Sequence, residues 1–187
     1  MKSNKSVVLE DGRSWWLRLA PGDLAPNVLM AIELDMPKRC LLPLLTDVKQ
    51  ITDFGEYQVY TGKYQDVPVS LVYHGTGAFS VSTALEEIAV LGAEKVVRVG
   101  SCGGISGSVA VGDLVVCEGT IRDDKLMLDY VPAEYPAVAD FEMVGNALDA
   151  CREQHIPAIS GISLSTATLY PGSGYETAVG ILAQEPY

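Results

Sequence analysis

The feature that most constrains this chain is a strand, a glycine turn, a helix, a second strand and a second glycine turn in direct succession. Val69-Ser70-Leu71-Val72-Tyr73 is an apolar strand, and His74-Gly75-Thr76-Gly77 breaks it. An amphipathic helix is predicted from about Ser80 to Leu91, with Ser80 or Ser82 as cap and Gly92 as stop. Val81, Ala84, Leu85, Ile88 and Ala89 fall on one face; Glu86 and Glu87 fall outside it and read as a solvated face. The chain returns through Lys95-Val96-Val97-Arg98-Val99 and breaks again at Gly100-Ser101. Two glycine turns at the carboxyl ends of strands in one sheet form the place where open α/β folds bind ligands. An arginine ending an apolar strand, beside backbone N–H groups and a serine hydroxyl, suits an anion such as phosphate.

The rest of the chain is read around this unit. Trp15-Trp16-Leu17-Arg18-Leu19-Ala20 is expected as the first strand, stopped by Pro21-Gly22-Asp23, and a helix is expected from Pro26 to Leu34. Residues 38–53 take no firm assignment. Residues 57–64 and 67–73 form a hairpin turning near Gln65-Asp66. Leu114 to Cys117 reads as a buried strand, Asp140 to Gln154 as a helix capped by Asp140, and Ile159 to Ser165 as a strand. In that second helix Met143, Ala147, Leu148 and Cys151 face inward. The 187 residues suit one domain, 1–187, with a real core.

A net charge of -11 argues against nucleic acid or an anionic membrane as partner. It also means that phosphate binding must rest on locally concentrated positive potential. Cys40, Cys102, Cys117 and Cys151 form no zinc or redox spacing and read as free, buried thiols. No secretory signal and no apolar run of spanning length is visible, so the cytoplasm is the expected location.

The segments His74-Gly75-Thr76-Gly77, Glu86-Glu87-Ile88, Arg98-Val99-Gly100-Ser101-Cys102-Gly103-Gly104 and Val111-Gly112-Asp113-Leu114 follow one another in a meaningful order. With Pro21-Gly22-Asp23, residues 134–142, Gly161 to Ser165 and Leu169-Tyr170-Pro171, they resemble the nucleoside phosphorylase family of bacterial-type purine nucleoside phosphorylases and uridine phosphorylases. The resemblance implies a three-layer α/β/α sandwich around a mixed central sheet, lacking the family's C-terminal part. It implies phosphorolysis of a purine or uracil nucleoside to free base and ribose 1-phosphate, in nucleotide salvage. Inorganic phosphate is the co-substrate, and no metal or organic cofactor is involved. It implies a homodimer or hexamer.

Carried over residue by residue, the resemblance assigns phosphate to Gly22, Arg98, Gly100 and Ser101, and the nucleoside to Thr76, Cys102, Gly103, Leu169 and Tyr170. Gly22, Gly75, Gly77, Arg98 and Ser101 should then converge at one sheet edge. His74 serves packing. Two further phosphate arginines of the family fall on Pro26 and near Gly55, and each absent charged hydrogen bond is worth about 1.5–3 kcal/mol. Leu169 stands where an aromatic residue stacks on the base, and Ser173 and Tyr175 where uracil is read. Glu185 matches the start of the ribose motif, whereas Pro186 and Tyr187 stand where its methionine and ribose-binding glutamate belong. No residue matches the acid that protonates a purine, so the catalytic residues stay unassigned and a poor phosphorylase is expected. Two alternatives remain open: a nucleosidase using water, and a member that only binds nucleoside or associates with partners.

Overall fold

The computed structural model describes residues 8–33, 35 and 37–167. They fall into two compact units that meet in sequence between Ser101 and Cys102.

The first unit is built on a five-stranded sheet. Its strands are β1 (Asn27–Ala31), β2 (Thr46–Phe54), β3 (Tyr57–Tyr64), β4 (Val67–Tyr73) and β5 (Lys95–Val99), in the order β2-β3-β4-β1-β5. Strands β2, β3 and β4 form an antiparallel meander, while β1 runs parallel to both β4 and β5. The sheet is therefore mixed. The β3–β4 hairpin turns at Gln65 and Asp66, whose φ angles of 48° and 67° match the two positive values of a type I′ turn. A π-helical turn (Pro37–Leu41) and a 3-10 turn (Leu42–Leu44) fill the stretch before β2.

Strand β1 corrects the helix predicted from Pro26 to Leu34. Its sequence Asn27-Val28-Leu29-Met30-Ala31 is a short apolar run, and periodicity alone does not separate such a run from a helix. Parallel partners on both sides take its backbone groups, and Val28, Met30 and Ala31 are buried. The strand expected at residues 15–20 is also absent. Only Ser14 makes an isolated bridge, to Val8, and the chain then turns through Arg18, at φ 56°. Leu17 and Leu19 are nevertheless fully buried in the core with Val28, Met30, Tyr57, Val59, Val72, Ala84 and Ile88. At about 1.5–3 kcal/mol for each large apolar side chain buried, this cluster is the main reason the unit coheres.

Helix α1 (Ala78–Val90) stops before Gly92 (φ 98°), as expected. Its inward face is different from the predicted one. Ser80, Ala84, Glu87 and Ile88 are buried, while Leu85 and Ala89 are exposed. Glu87 is not part of a solvated face: its two oxygens accept the backbone N–H groups of Trp16 and Leu17, each at 2.7 Å. That tertiary pairing satisfies both a buried carboxyl and two N–H groups that no strand partner takes. Neither Ser80 nor Ser82 caps the helix. Gly77 is the N-cap residue without a side-chain bond, and Ser82 bonds the Phe79 carbonyl.

In the second unit, β6 (Leu114–Arg122) and β7 (Ala158–Ser165) form a parallel pair joined through α2 (Phe141–Glu153). A helical crossover is what parallel neighbours require. Asp140 caps α2 as predicted, its Oδ1 accepting the Met143 N–H at 2.9 Å, and Cys151 is buried. Strand β6 is longer than expected, and its first half is not buried: Leu114 is 43% exposed. The register shifts between Cys117 and Gly119, where the Ala137–Val138 segment crosses close to Gly119. Arg122 ties down that crossing segment through the carbonyls of Pro132, Ala133 and Tyr135. All four cysteines are free, but only Cys151 is buried; Cys40, Cys102 and Cys117 are exposed. Cys40 lies in the π-helical turn and Cys102 in an open glycine segment, where no sheet or helix face covers them.

Candidate functional site

The parallel strands β1, β4 and β5 are in register, so Ala31, Tyr73 and Val99 end together. The residues that follow them emerge at one carboxyl edge: Ile32-Glu33, His74-Gly75-Thr76 and Gly100-Ser101. The His74 N–H, donating to the Ala31 carbonyl at 3.1 Å, continues the ladder by one residue and fixes the turn.

Arg98 reaches this edge from the penultimate position of β5. Its Nε donates to His74 Nε2 at 3.3 Å. Because Nε2 accepts, the imidazole proton sits on Nδ1, which is buried and has no hydrogen-bond partner among the described residues. Burial first and the Arg98 charge second hold His74 below the ordinary histidine value. His74 therefore positions Arg98 as a neutral ring. Its packing role matches the sequence reading, with the orientation of Arg98 added. Gly100 is confined by Ile32: a Cβ there would lie 3.1 Å from Ile32 Cγ2, with the terminal nitrogens of Arg98 in ordinary contact at 3.9 Å.

Ser101 is exposed, but its hydroxyl is already paired. Its hydroxyl donates to Glu33 Oε1 in a short hydrogen bond, and its backbone N–H approaches the same oxygen at 3.4 Å. The Ser101 hydroxyl is the main reason that the Glu33 carboxyl lies below its ordinary range. Partial burial opposes the shift, while the Ser101 N–H and the Arg98 charge add to it.

A second carboxyl stands behind the turn after β4. Glu56 Oε1 lies 2.8 Å from Ser80 Oγ, which is also 3.2 Å from the Thr76 carbonyl. Gly75, at φ 71°, admits this side chain: an added Cβ would come within 2.2 Å of Glu56 Oε2. A side chain at position 75 would meet both backbone strain and a direct clash.

Of the predicted phosphate residues, Arg98, Gly100 and Ser101 converge here, with Gly75, Thr76 and Gly77 on the adjoining turn. Gly22 does not. It lies in a turn closed by the Asp23 N–H on the Ala20 carbonyl, before the amino end of β1. The next residues stay at that end: the Ala25 N–H bonds Ser70 Oγ, and the Pro26 carbonyl accepts from Glu94 and Lys95. Four residue steps of β1, about 13 Å, separate that end from the carboxyl edge. The segment that does reach the edge from β1 is Ile32-Glu33. Reading residues 26–34 as a helix hid it; an apolar run followed immediately by Glu33 and Asp35 was the available signal. Pro26, matched to a family arginine, lies at the wrong end for the same reason. Cys102 and Gly103 open the second unit and are exposed. Leu169, Tyr170, Ser173, Tyr175, Glu185, Pro186 and Tyr187 lie outside the described residues.

Fold and edge together define an α/β protein whose parallel strands bring one arginine, a serine hydroxyl and the Glu33 carboxyl together at their carboxyl ends. The comparisons with known proteins are more specific. Residues 28–185 match the model of the phosphorylase superfamily, and the chain belongs to that family. The match begins beyond Gly22. The chain is 35% identical to a uridine phosphorylase of Thermococcus kodakarensis, over 88% of this chain and 59% of the relative. It is 35% identical to a DeoD-type purine nucleoside phosphorylase of Yersinia enterocolitica, over 80% of this chain and 63% of the relative. It thus spans about three fifths of the length of these curated relatives.

Among solved structures, a uridine phosphorylase from Vibrio fischeri aligns with a TM-score of 0.83 at 27% identity, covering 87% of this chain and 67% of that one. A Toxoplasma gondii purine nucleoside phosphorylase in complex with immucillin-H aligns with a TM-score of 0.87 at 24% identity, covering 92% and 69%. The fold is the phosphorylase-like α/β fold with a mixed central sheet, as the motifs implied. No helix among the described residues is long and apolar enough to cross a membrane.

Proposed function

We propose that this chain acts as a nucleoside phosphorylase, splitting purine or uracil nucleosides to free base and ribose 1-phosphate in cytoplasmic nucleotide salvage. The observation that carries this reading is the convergence of Arg98 and Ser101 on the carboxyl edge, beside the turn of Gly75 and Thr76. A phosphate held there meets one fixed cation, one hydroxyl and one backbone N–H. Holding it in place removes the entropic cost of bringing two reactants together. A phosphate oxygen then bonds to the anomeric carbon as the C–N bond breaks, and the electron pair leaves with the base, which takes up a proton. The reaction so written needs no metal and no organic cofactor. Thr76, exposed on the turn, is assigned to the nucleoside side.

Family relatives with both printed activities support the reaction class without choosing between purine and uracil. We further assign a homo-oligomer, a dimer or hexamer. Trp16, 38% exposed, meets Phe79, 61% exposed, edge to face at 6.4 Å, which gives the first unit an aromatic surface suited to a second copy.

The test is release of free base from inosine, adenosine and uridine, with and without phosphate. Phosphate-dependent release is expected. Arg98→Ala should lower it about 10- to 100-fold, the worth of one charged hydrogen bond. Release that ignores phosphate would overturn phosphorolysis. It would instead support hydrolysis, a second reading favoured by one observation: a carboxylate already occupies Ser101.

A further inference from the structure

We infer that Glu33 is an internal anion that competes with phosphate for Ser101, and so sets how strongly the chain takes phosphate. The inference rests on the phosphate-site reading above and deepens it. Three donors at the carboxyl edge suit an anion: the Arg98 guanidinium, the Ser101 hydroxyl and the Ser101 N–H. Two of them already point at one oxygen of Glu33. A serine hydroxyl has a single proton, so while it serves Glu33 it is not available to phosphate.

Glu33 is also tethered. It follows the end of β1 by two residues, and β1 is held by parallel partners on both sides. A tethered competitor acts at a high effective concentration, in the millimolar range for a short flexible link. Phosphate binding then requires Glu33 to leave, and the apparent affinity falls by the fraction of time the donors are free. A phosphate that settled beside Glu33 without displacing it would face a like charge a few ångströms away. Repulsion at that range weakens binding by roughly tenfold to a thousandfold, depending on solvent screening.

The opposite role is equally concrete. Glu33 could buttress Ser101, orienting its hydroxyl for the ligand. The two roles predict opposite signs. Competition means that removing the carboxylate tightens phosphate binding; a buttress means that removal weakens it.

The experiment is calorimetric titration of the full chain with inorganic phosphate, on wild type, Glu33→Gln, Glu33→Ala and Arg98→Ala. Glu33→Gln keeps the shape and one acceptor for Ser101 but removes the charge, so it carries the test should the alanine variant fold poorly. The expected result is a dissociation constant about tenfold lower or better in Glu33→Ala, and a smaller gain in the same direction in Glu33→Gln. Adding Ser101→Ala to Glu33→Ala should cancel most of the gain. Unchanged or weaker phosphate binding in both Glu33 variants overturns the inference. If wild type meanwhile binds phosphate in an Arg98-dependent way, the phosphate-site reading survives and only the competition falls. If neither wild type nor any Glu33 variant binds phosphate, both fall.

Discussion

His74 is the residue whose surroundings make the clearest claim about pH. It is fully buried, its Nε2 accepts from Arg98, and its Nδ1 has no hydrogen-bond partner among the described residues. Burial first and the neighbouring guanidinium second disfavour a second proton, and they outweigh the backbone of Gly75 and His74 and the Glu56 charge, which favour it. The folded-state pKa therefore lies below the unfolded value of about 6.5. As pH falls below that value, the unfolded chain takes up a proton that folded His74 refuses. The stability is present above the unfolded pKa and is lost on acidification. Urea midpoints measured at about pH 7.5 and about pH 5.5 should fall in wild type. They should fall less in His74→Gln, which keeps an acceptor for Arg98 but cannot titrate in that interval. Equal falls in the two proteins would show that His74 is not the group responsible.

Helix α1 is held to the rest of its unit by more than apolar contact. Glu87 sits on its buried stripe with Ser80, Ala84 and Ile88 and ties down the Trp16–Leu17 backbone. That backbone carries Leu17 into the core, so one side chain links the helix to a segment without regular structure. Glu87→Ala would strand the buried Leu17 N–H, unpair the partly buried Trp16 N–H and leave a void. A loss of about 2–5 kcal/mol in unfolding free energy is expected, read from urea or thermal melts. Glu87→Gln should cost less, since one oxygen still accepts. Glu86→Ala, one position away on a more open face, should change stability by no more than about 0.5 kcal/mol. A Glu87→Ala variant as stable as Glu86→Ala would mean that the helix is held by its apolar contacts alone.

For the whole molecule, the exposed aromatic pair bears on assembly. Light scattering of the chain at micromolar concentration should report a dimer or larger. Phe79→Glu, which places a charge on the Trp16–Phe79 surface, should shift it toward monomer. A wild-type monomer would refute the assembly. An oligomer indifferent to Phe79→Glu would place the interface elsewhere.

The sequence alone determined the hairpin at Gln65-Asp66, the span of β5, the stop at Gly92 and the Asp140 cap. Each of these depends on local chemistry: two-residue turns, a β-branched run, a glycine after a helix, a carboxylate before one. It also determined that Arg98, Gly100 and Ser101 share a sheet edge with the Gly75–Gly77 turn, because a strand–helix–strand unit must return its glycine turns to the same side. Tertiary structure decided the rest. Residues 27–31 become a strand because parallel neighbours stand on both sides, and local periodicity in so short an apolar run carries no trace of them. Gly22 leaves the site for the same reason, since the direction of β1 sets which end its flanking turn occupies. Glu87 reads as solvated because of its charge, and only the folded chain brings the Trp16 and Leu17 N–H groups to it across some 70 residues of sequence. Glu33 is the sharpest case. A carboxylate two residues past a strand has no assigned partner in the sequence; the alignment of β1 with β5 puts it on Ser101.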